Sequence, residues 1–167
     1  LGDPTGLDTL LEQLQTYCAW DQGWNYRGMG QYGSPISALD NLIIVLGRAG
    51  DRRAVPAIFE KLRLLSCKDD FSHHRAVGLA LECLGDPAAA GPLAELLQKS
   101  GMSGHAHTSI SIAQSREVPG DTNSVESRRE SLRELLLARA LYRCGDHQGV
   151  GEKILRSYTQ DLRGHLA

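Results

Sequence analysis

The feature that most constrains this chain is a recurring Gly-Asp string, placed each time just ahead of an apolar pattern of helical period. It occurs in Leu1-Gly2-Asp3-Pro4, Ala49-Gly50-Asp51, Leu84-Gly85-Asp86-Pro87 and Cys144-Gly145-Asp146. After Asp3 come Leu7, Leu10, Leu11, Leu14 and Tyr17; after Asp51 come Val55, Ile58, Phe59, Leu62 and Leu65. After Asp86 come Leu93, Leu96 and Leu97; after Asp146 come Val150, Ile154, Leu155, Tyr158 and Leu162. Spacings of three and four residues lay such positions on one helical stripe. The turn chemistry is readable as well. Glycine closes a helix because it tolerates the left-handed conformation just past the last turn. Aspartate then caps the next helix by accepting from its free N–H groups. Proline at the first helical position, as at Pro4 and Pro87, forfeits an N–H that has no helical partner anyway.

A helix leading into each corner completes a unit. Ser34-Pro35 is expected to start one that runs through Leu39, Ile43 and Leu46 to Ala49. Ser72 is expected to cap another, through Val77, Leu81 and Leu84, and Ser127 a third, through Leu132, Leu135, Leu136 and Ala140 to Arg143. Asp51 and Asp86 stand 35 residues apart, near the period of solenoids built from helix pairs. The other intervals are lengthened by two loops, residues 19–33 and about 99–126. Strand signals are nearly absent; Ile110-Ser111-Ile112 alternates but is short. The expectation is an all-α chain, a right-handed α-α superhelix of about three and a half helix pairs, forming a single domain over residues 1–167. Leu1-Gly2-Asp3 reads as the corner of a unit lacking its first helix, so the sequence is expected to be a piece of a longer protein.

Composition narrows the function classes. A formal net charge of -2, with no long run of one sign, offers no basic footprint for nucleic acid. No apolar run approaches the roughly 18 residues of a membrane-spanning helix. The opening LGDPTGLD has no charged region leading into an apolar one, so no secretion signal is expected there. The four cysteines, Cys18, Cys67, Cys83 and Cys144, form no CxxC pair. Cys83 and Cys144 are expected to behave as small buried hydrophobes.

Several groupings invite chemistry. Gly28 to Gly33 matches G-x-G-x-x-G, but the preceding Asp21-Gln22-Gly23-Trp24-Asn25-Tyr26-Arg27 is polar, whereas a dinucleotide site needs a buried strand there. The same stretch gathers Trp20, Trp24, Tyr26, Arg27 and Tyr32, rigid aromatic area and a planar cation of the kind that dominates interfaces. His105 and His107, in the second loop, join these as candidate interaction residues; a shared metal there lacks a completing cysteine or carboxylate nearby in sequence. His73 and His74 lie about 100° apart on a helix, so one is expected to pack and the other to be solvated. Cys67, with Lys68 beside it, is a weak thiolate candidate because no third group orients it. Arg128, Arg129, Arg133, Arg139 and Arg143, interleaved with Glu126, Glu130 and Glu134, read as a solvated, ion-paired helix face. No catalytic, cofactor-binding or metal-ligating residue is assigned.

The Gly-Asp corners and their spacing resemble the HEAT-like repeats described in phycobilisome lyases. In addition, Gly23 to Gly33, Leu39-Asp40-Asn41-Leu42-Ile43-Ile44, Phe71-Ser72-His73-His74-Arg75 and Gly101-Met102-Ser103-Gly104-His105-Ala106 look like the C-terminal helical region of certain bacterial FAD-dependent oxidoreductases. The stretches Ala140 to Asp146 and Asp161 to His165 fit that region too. The resemblance implies a parent enzyme with its flavin domain upstream; no FAD-binding residue carries over onto this sequence. It implies a non-catalytic accessory domain that contacts a neighbouring domain or a protein partner. A stand-alone protein-binding scaffold, or a subunit like a chromophore lyase, remains the alternative.

Overall fold

The computed structural model describes residues 6–24, 37–116 and 126–163. The described residues form eight α-helices and no strand: α1 (Leu7–Thr16), α2 (Ala38–Ala49), α3 (Val55–Arg63), α4 (Phe71–Leu84), α5 (Ala90–Gln98), α6 (Ile110–Arg116), α7 (Glu126–Arg143) and α8 (Val150–Tyr158). None is long and apolar enough to cross a membrane.

Two corners form by the expected chemistry. Gly50 and Gly85 end α2 and α4 at φ of 75° and 55°, where a β-carbon would be strained. Asp51 and Asp86 then accept from the amides of Arg53 and Ala88, each at 2.9 Å. The capped segments open as short 3-10 turns, Arg52–Ala54 and Pro87–Ala89, before α3 and α5 begin. The Gly145 corner is longer. The Asp146 carboxylate accepts from the amides of His147, Gly151 and Glu152, and α8 starts only at Val150. The first string, Leu1 to Pro4, lies outside the described residues.

Several expected starts shift. Ser34 and Pro35 lie outside the described residues, and α2 is capped by Ser37, whose hydroxyl accepts from the Asp40 amide at 2.9 Å. The N-cap of α4 is Asp70, not Ser72, which sits buried inside the first turn. Its hydroxyl is taken by another chain segment and cannot cap. The second loop contains α6, so Ile110-Ser111-Ile112 is helical; Ser109 Oγ accepts from the Ile112 amide.

The core arises because helices pack across the corners. α2 packs chiefly on α4 and α4 on α7, while α1 lies against α3 and α3 against α5; α8 rests on α7. Two glycines set the closest approaches. A β-carbon at Gly47 would stand 2.3 Å from the Ala80 backbone, and one at Gly78 would stand 3.0 Å from Leu136. The stripes of α3 and α5 are buried as expected, through Val55, Ile58, Leu62, Leu93, Leu96 and Leu97. On α7 the stripe is rotated. Leu132, Leu135 and Leu136 are half-buried, and the fully buried positions are Leu137, Ala138, Ala140 and Leu141. The helix touches α4, α5 and α8 at once, so its core face is wide. Leu162, read from the sequence as part of the last stripe, is exposed beyond the end of α8.

Cys144 is buried with its thiol against the Leu81 carbonyl, and burial pushes that thiol up to about 11. Cys83 is exposed, contrary to the expectation from its helical setting; it falls on the outward side of α4.

Candidate functional site

Two polar clusters stand out, and each lies where a loop meets the helices. The first forms where residues 17–24 cross the N-terminal ends of α2 and α4. His73, in the first turn of α4, is nearly inaccessible at 2% exposure. Its Nδ1 lies 2.7 Å from Asp40 Oδ1 and its Nε2 3.0 Å from the Asp21 carbonyl. In its protonated form the ring can donate to both oxygens at once. Burial alone would lower its pKa; the hydrogen bond and charge of Asp40, the charge of Asp70 and the Asp21 carbonyl outweigh this and raise it. Trp20 stacks on the ring with centroids 4.3 Å apart, an arrangement that favours the cation.

Residues 20–24 are tied down by further bonds. The Leu39 amide donates to Asp21 Oδ2 at 3.1 Å, and the Gly23 amide to Asp70 Oδ2 at 2.9 Å. Trp24 and Ser72 exchange two bonds, amide to hydroxyl at 2.8 Å and amide to carbonyl at 2.9 Å. The Trp20 indole donates to the Lys61 carbonyl at 3.2 Å. At Gly23 there is no space for a side chain, since a β-carbon would lie 2.5 Å from the His73 ring. Asp21 Oδ1 and Asp40 Oδ2 are buried without a hydrogen-bond partner among the described residues.

The second cluster holds residues 99–109 against α7 and the end of α8. Glu134, 2% exposed, accepts from the amides of Gly104 and His105, both at 2.7 Å, and from the Tyr158 hydroxyl at 2.8 Å. Asp161 accepts from the His107 amide at 2.8 Å and from the Arg163 guanidinium. Burial opposes ionisation of Asp161, but Arg163 and the two amides overcome it and hold the carboxyl far below the usual range. Arg133, also 2% exposed, donates to the carbonyls of Cys67 and Gly101 at 3.0 and 2.6 Å. Lys99 donates to the carbonyls of Arg63 and Leu65.

The candidate residues read from the sequence are thus distributed. Trp20 and Trp24 are half-buried members of the first cluster; Tyr26, Arg27 and Tyr32, with Gly28 to Gly33, lie outside the described residues. His105 and His107 share the second cluster, but their rings meet different partners. His105 faces the Gly101 carbonyl and Glu130, and His107 faces Ser127. Burial, then the Arg163 and Arg116 charges, lower the His107 pKa and keep it neutral.

Two readings of the sequence need correcting. Both His73 and His74 are buried, because the loops cover the start of α4 on both sides. His74 has its ring nitrogens 3.0 Å from the carbonyls of Asp70 and Ser66. Burial and the Arg133 cation outweigh those carbonyls, lowering its pKa to about 4, so it is neutral. The basic helix is not solvated throughout. Arg129 pairs with Glu126, and Arg139 with Glu82 of α4, but Arg133 and Glu134 face inward. Cys67, already a weak thiolate candidate from the sequence, packs against Gly101.

Chemically, both clusters bind backbone. Both ring nitrogens of His73 are taken up inside the cluster, so neither faces a substrate from which it could take a proton. Sequence reasoning overlooked Asp40, Asp70, Arg133, Glu134 and Asp161, the residues that hold the loops. Comparison of the chain with protein-family models, with curated proteins and with solved structures finds no match.

Proposed function

We propose that this chain is a non-catalytic accessory domain, a HEAT-like helical solenoid that presents its two long loops to a neighbouring domain or a protein partner. The solenoid reading is supported by the serial contacts α2 to α4 to α7 beside α1 to α3 to α5, the arrangement in which each helix pair buries its stripe only against the next pair. The observation that carries the interaction reading is the use made of buried charge. Asp40, His73, Arg133, Glu134 and Asp161 are all buried, and His73, Arg133, Glu134 and Asp161 hydrogen-bond loop backbone, with Asp40 pairing His73. Loops fixed in advance bind with less ordering cost than loose ones.

On the resemblance given above, the parent is an FAD-dependent oxidoreductase whose flavin is held upstream, and this domain supplies contact surface rather than chemistry. The test is a triple replacement, Tyr26→Ala, Arg27→Ala and Tyr32→Ala, in the full-length protein. Interdomain association, followed by limited proteolysis and small-angle scattering, is expected to weaken while the thermal transition of the domain stays in place. Unchanged association would refute the proposal.

A further inference from the structure

Outside both clusters, α1 and α3 leave an open groove of about 390 Å³. Leu11, Leu14, Pro56 and Ala57 line it together with Gln15, Arg53, Glu60 and Lys61. Lys61 is 7% exposed, and its ammonium donates to the Tyr17 carbonyl but pairs with no carboxylate among the described residues. An ammonium has three N–H donors, and the Tyr17 carbonyl takes one of them. The charges at the groove's rim are already matched, Arg53 by Asp51 and Asp8, and Glu60 by Arg63. Among the described residues the groove thus sets an ammonium without a carboxylate partner beside the apolar surface of Leu11, Leu14, Pro56 and Ala57. Withdrawing a cation from water without a counter-ion is unfavourable, and an anion entering the groove relieves it.

We propose that this groove binds an amphipathic monoanion, a medium-chain carboxylate whose oxygens accept from Lys61 Nζ while its alkyl tail covers Leu11, Pro56 and Ala57. The groove lies toward the small end of ligand pockets, which span roughly 300–1,000 Å³, so a medium chain suffices to fill it. A built-in reporter is present. Trp20 donates to the Lys61 carbonyl, and the chain has only two tryptophans. Replacing Trp24→Phe leaves Trp20 as the sole indole.

The experiment titrates that variant of the full chain with decanoate, decanol and acetate, reading Trp20 fluorescence and confirming by calorimetry. Decanoate is expected to bind saturably, with decanol and acetate each at least tenfold weaker. Lys61→Met should weaken decanoate at least tenfold, and Ala57→Phe, which fills the groove but keeps the cation, should abolish binding. If Lys61→Met fails to fold, as judged by far-ultraviolet circular dichroism, the ligand series and Ala57→Phe still decide. Decanol binding as tightly as decanoate, unchanged affinity in Ala57→Phe, or no saturable decanoate binding would each overturn the proposal.

Discussion

At the scale of single residues, the chain places ionised groups where helices usually carry leucine. Asp40 and Glu134 occupy core-facing positions, in line with Ile43 and Gly47 on one helix and with Leu137, Ala138 and Leu141 on the other. A buried ion pair adds little over an apolar pair, but breaking one leaves a lone charge and costs about 3–5 kcal/mol. Asp40→Leu is therefore expected to lower the urea unfolding free energy by about that amount. The double replacement Asp40→Leu with His73→Leu should cost less than the two single changes added together. The two adjacent histidines also give opposite pH dependences. His73 has a folded pKa above 6.5, so the native state holds its proton more tightly than the unfolded chain. Its contribution is whole below pH 6.5 and is lost as pH climbs through the folded value. His74 has a folded pKa of about 4. Its contribution is whole above pH 6.5 and is lost as pH falls toward 4, a difference on the order of 3 kcal/mol. These two histidines together favour a stability maximum near pH 6.5, and His74→Leu should make the decline between pH 6.5 and 4 shallower while leaving the alkaline side unchanged.

At the scale of elements, the corners were legible because glycine and aspartate carry their conformational meaning locally. Gly50-Asp51 and Gly85-Asp86 fold as any such pair would. The crossings between helices were not legible. Gly47 sits mid-helix, where glycine is ordinarily unfavourable, and only the nearness of Ala80 explains it. Gly47→Val should destabilise by about 1–3 kcal/mol through overpacking. Gly91, in the first turn of α5, meets nothing within 4 Å beyond its own helix and chain neighbours, but it precedes Pro92, which disfavours helical backbone for a residue with a β-carbon, so Gly91→Ala should change stability by no more than about 0.5 kcal/mol. A urea midpoint that falls for Gly47→Val and stays in place for Gly91→Ala would confirm the distinction. Helix starts were misread for a related reason. Ser72 has the composition of a cap, but Trp24, 48 residues earlier in the chain, claims its hydroxyl. The sequence around Ser72 holds no trace of that partner.

At the scale of the whole molecule, the helices supply a frame and the buried charges decide what the frame holds still. The interaction candidates Trp20, Trp24, His105 and His107 could be named from composition alone, because loops rich in aromatics and histidine stand out. Their anchors could have been flagged only by asking why Asp40, Arg133 and Glu134 interrupt apolar stripes. A charge on a stripe signals a partner, and the partner's identity is a matter of tertiary contact. Glu134→Gln preserves shape but halves the acceptor character that meets Gly104 and His105, so it should loosen that loop while leaving α7 folded. Faster exchange at those two amides, with unchanged protection in the middle of α7, is the expected outcome.

The most direct measurement is amide hydrogen exchange of the intact chain at Gly23, Trp24, Gly104, His105 and His107, five loop amides that donate to side chains. If buried charges and their neighbours fix both loops on the helices, these amides will exchange far more slowly than that of exposed Ser100. Exchange at the rate of an unstructured peptide would contradict it.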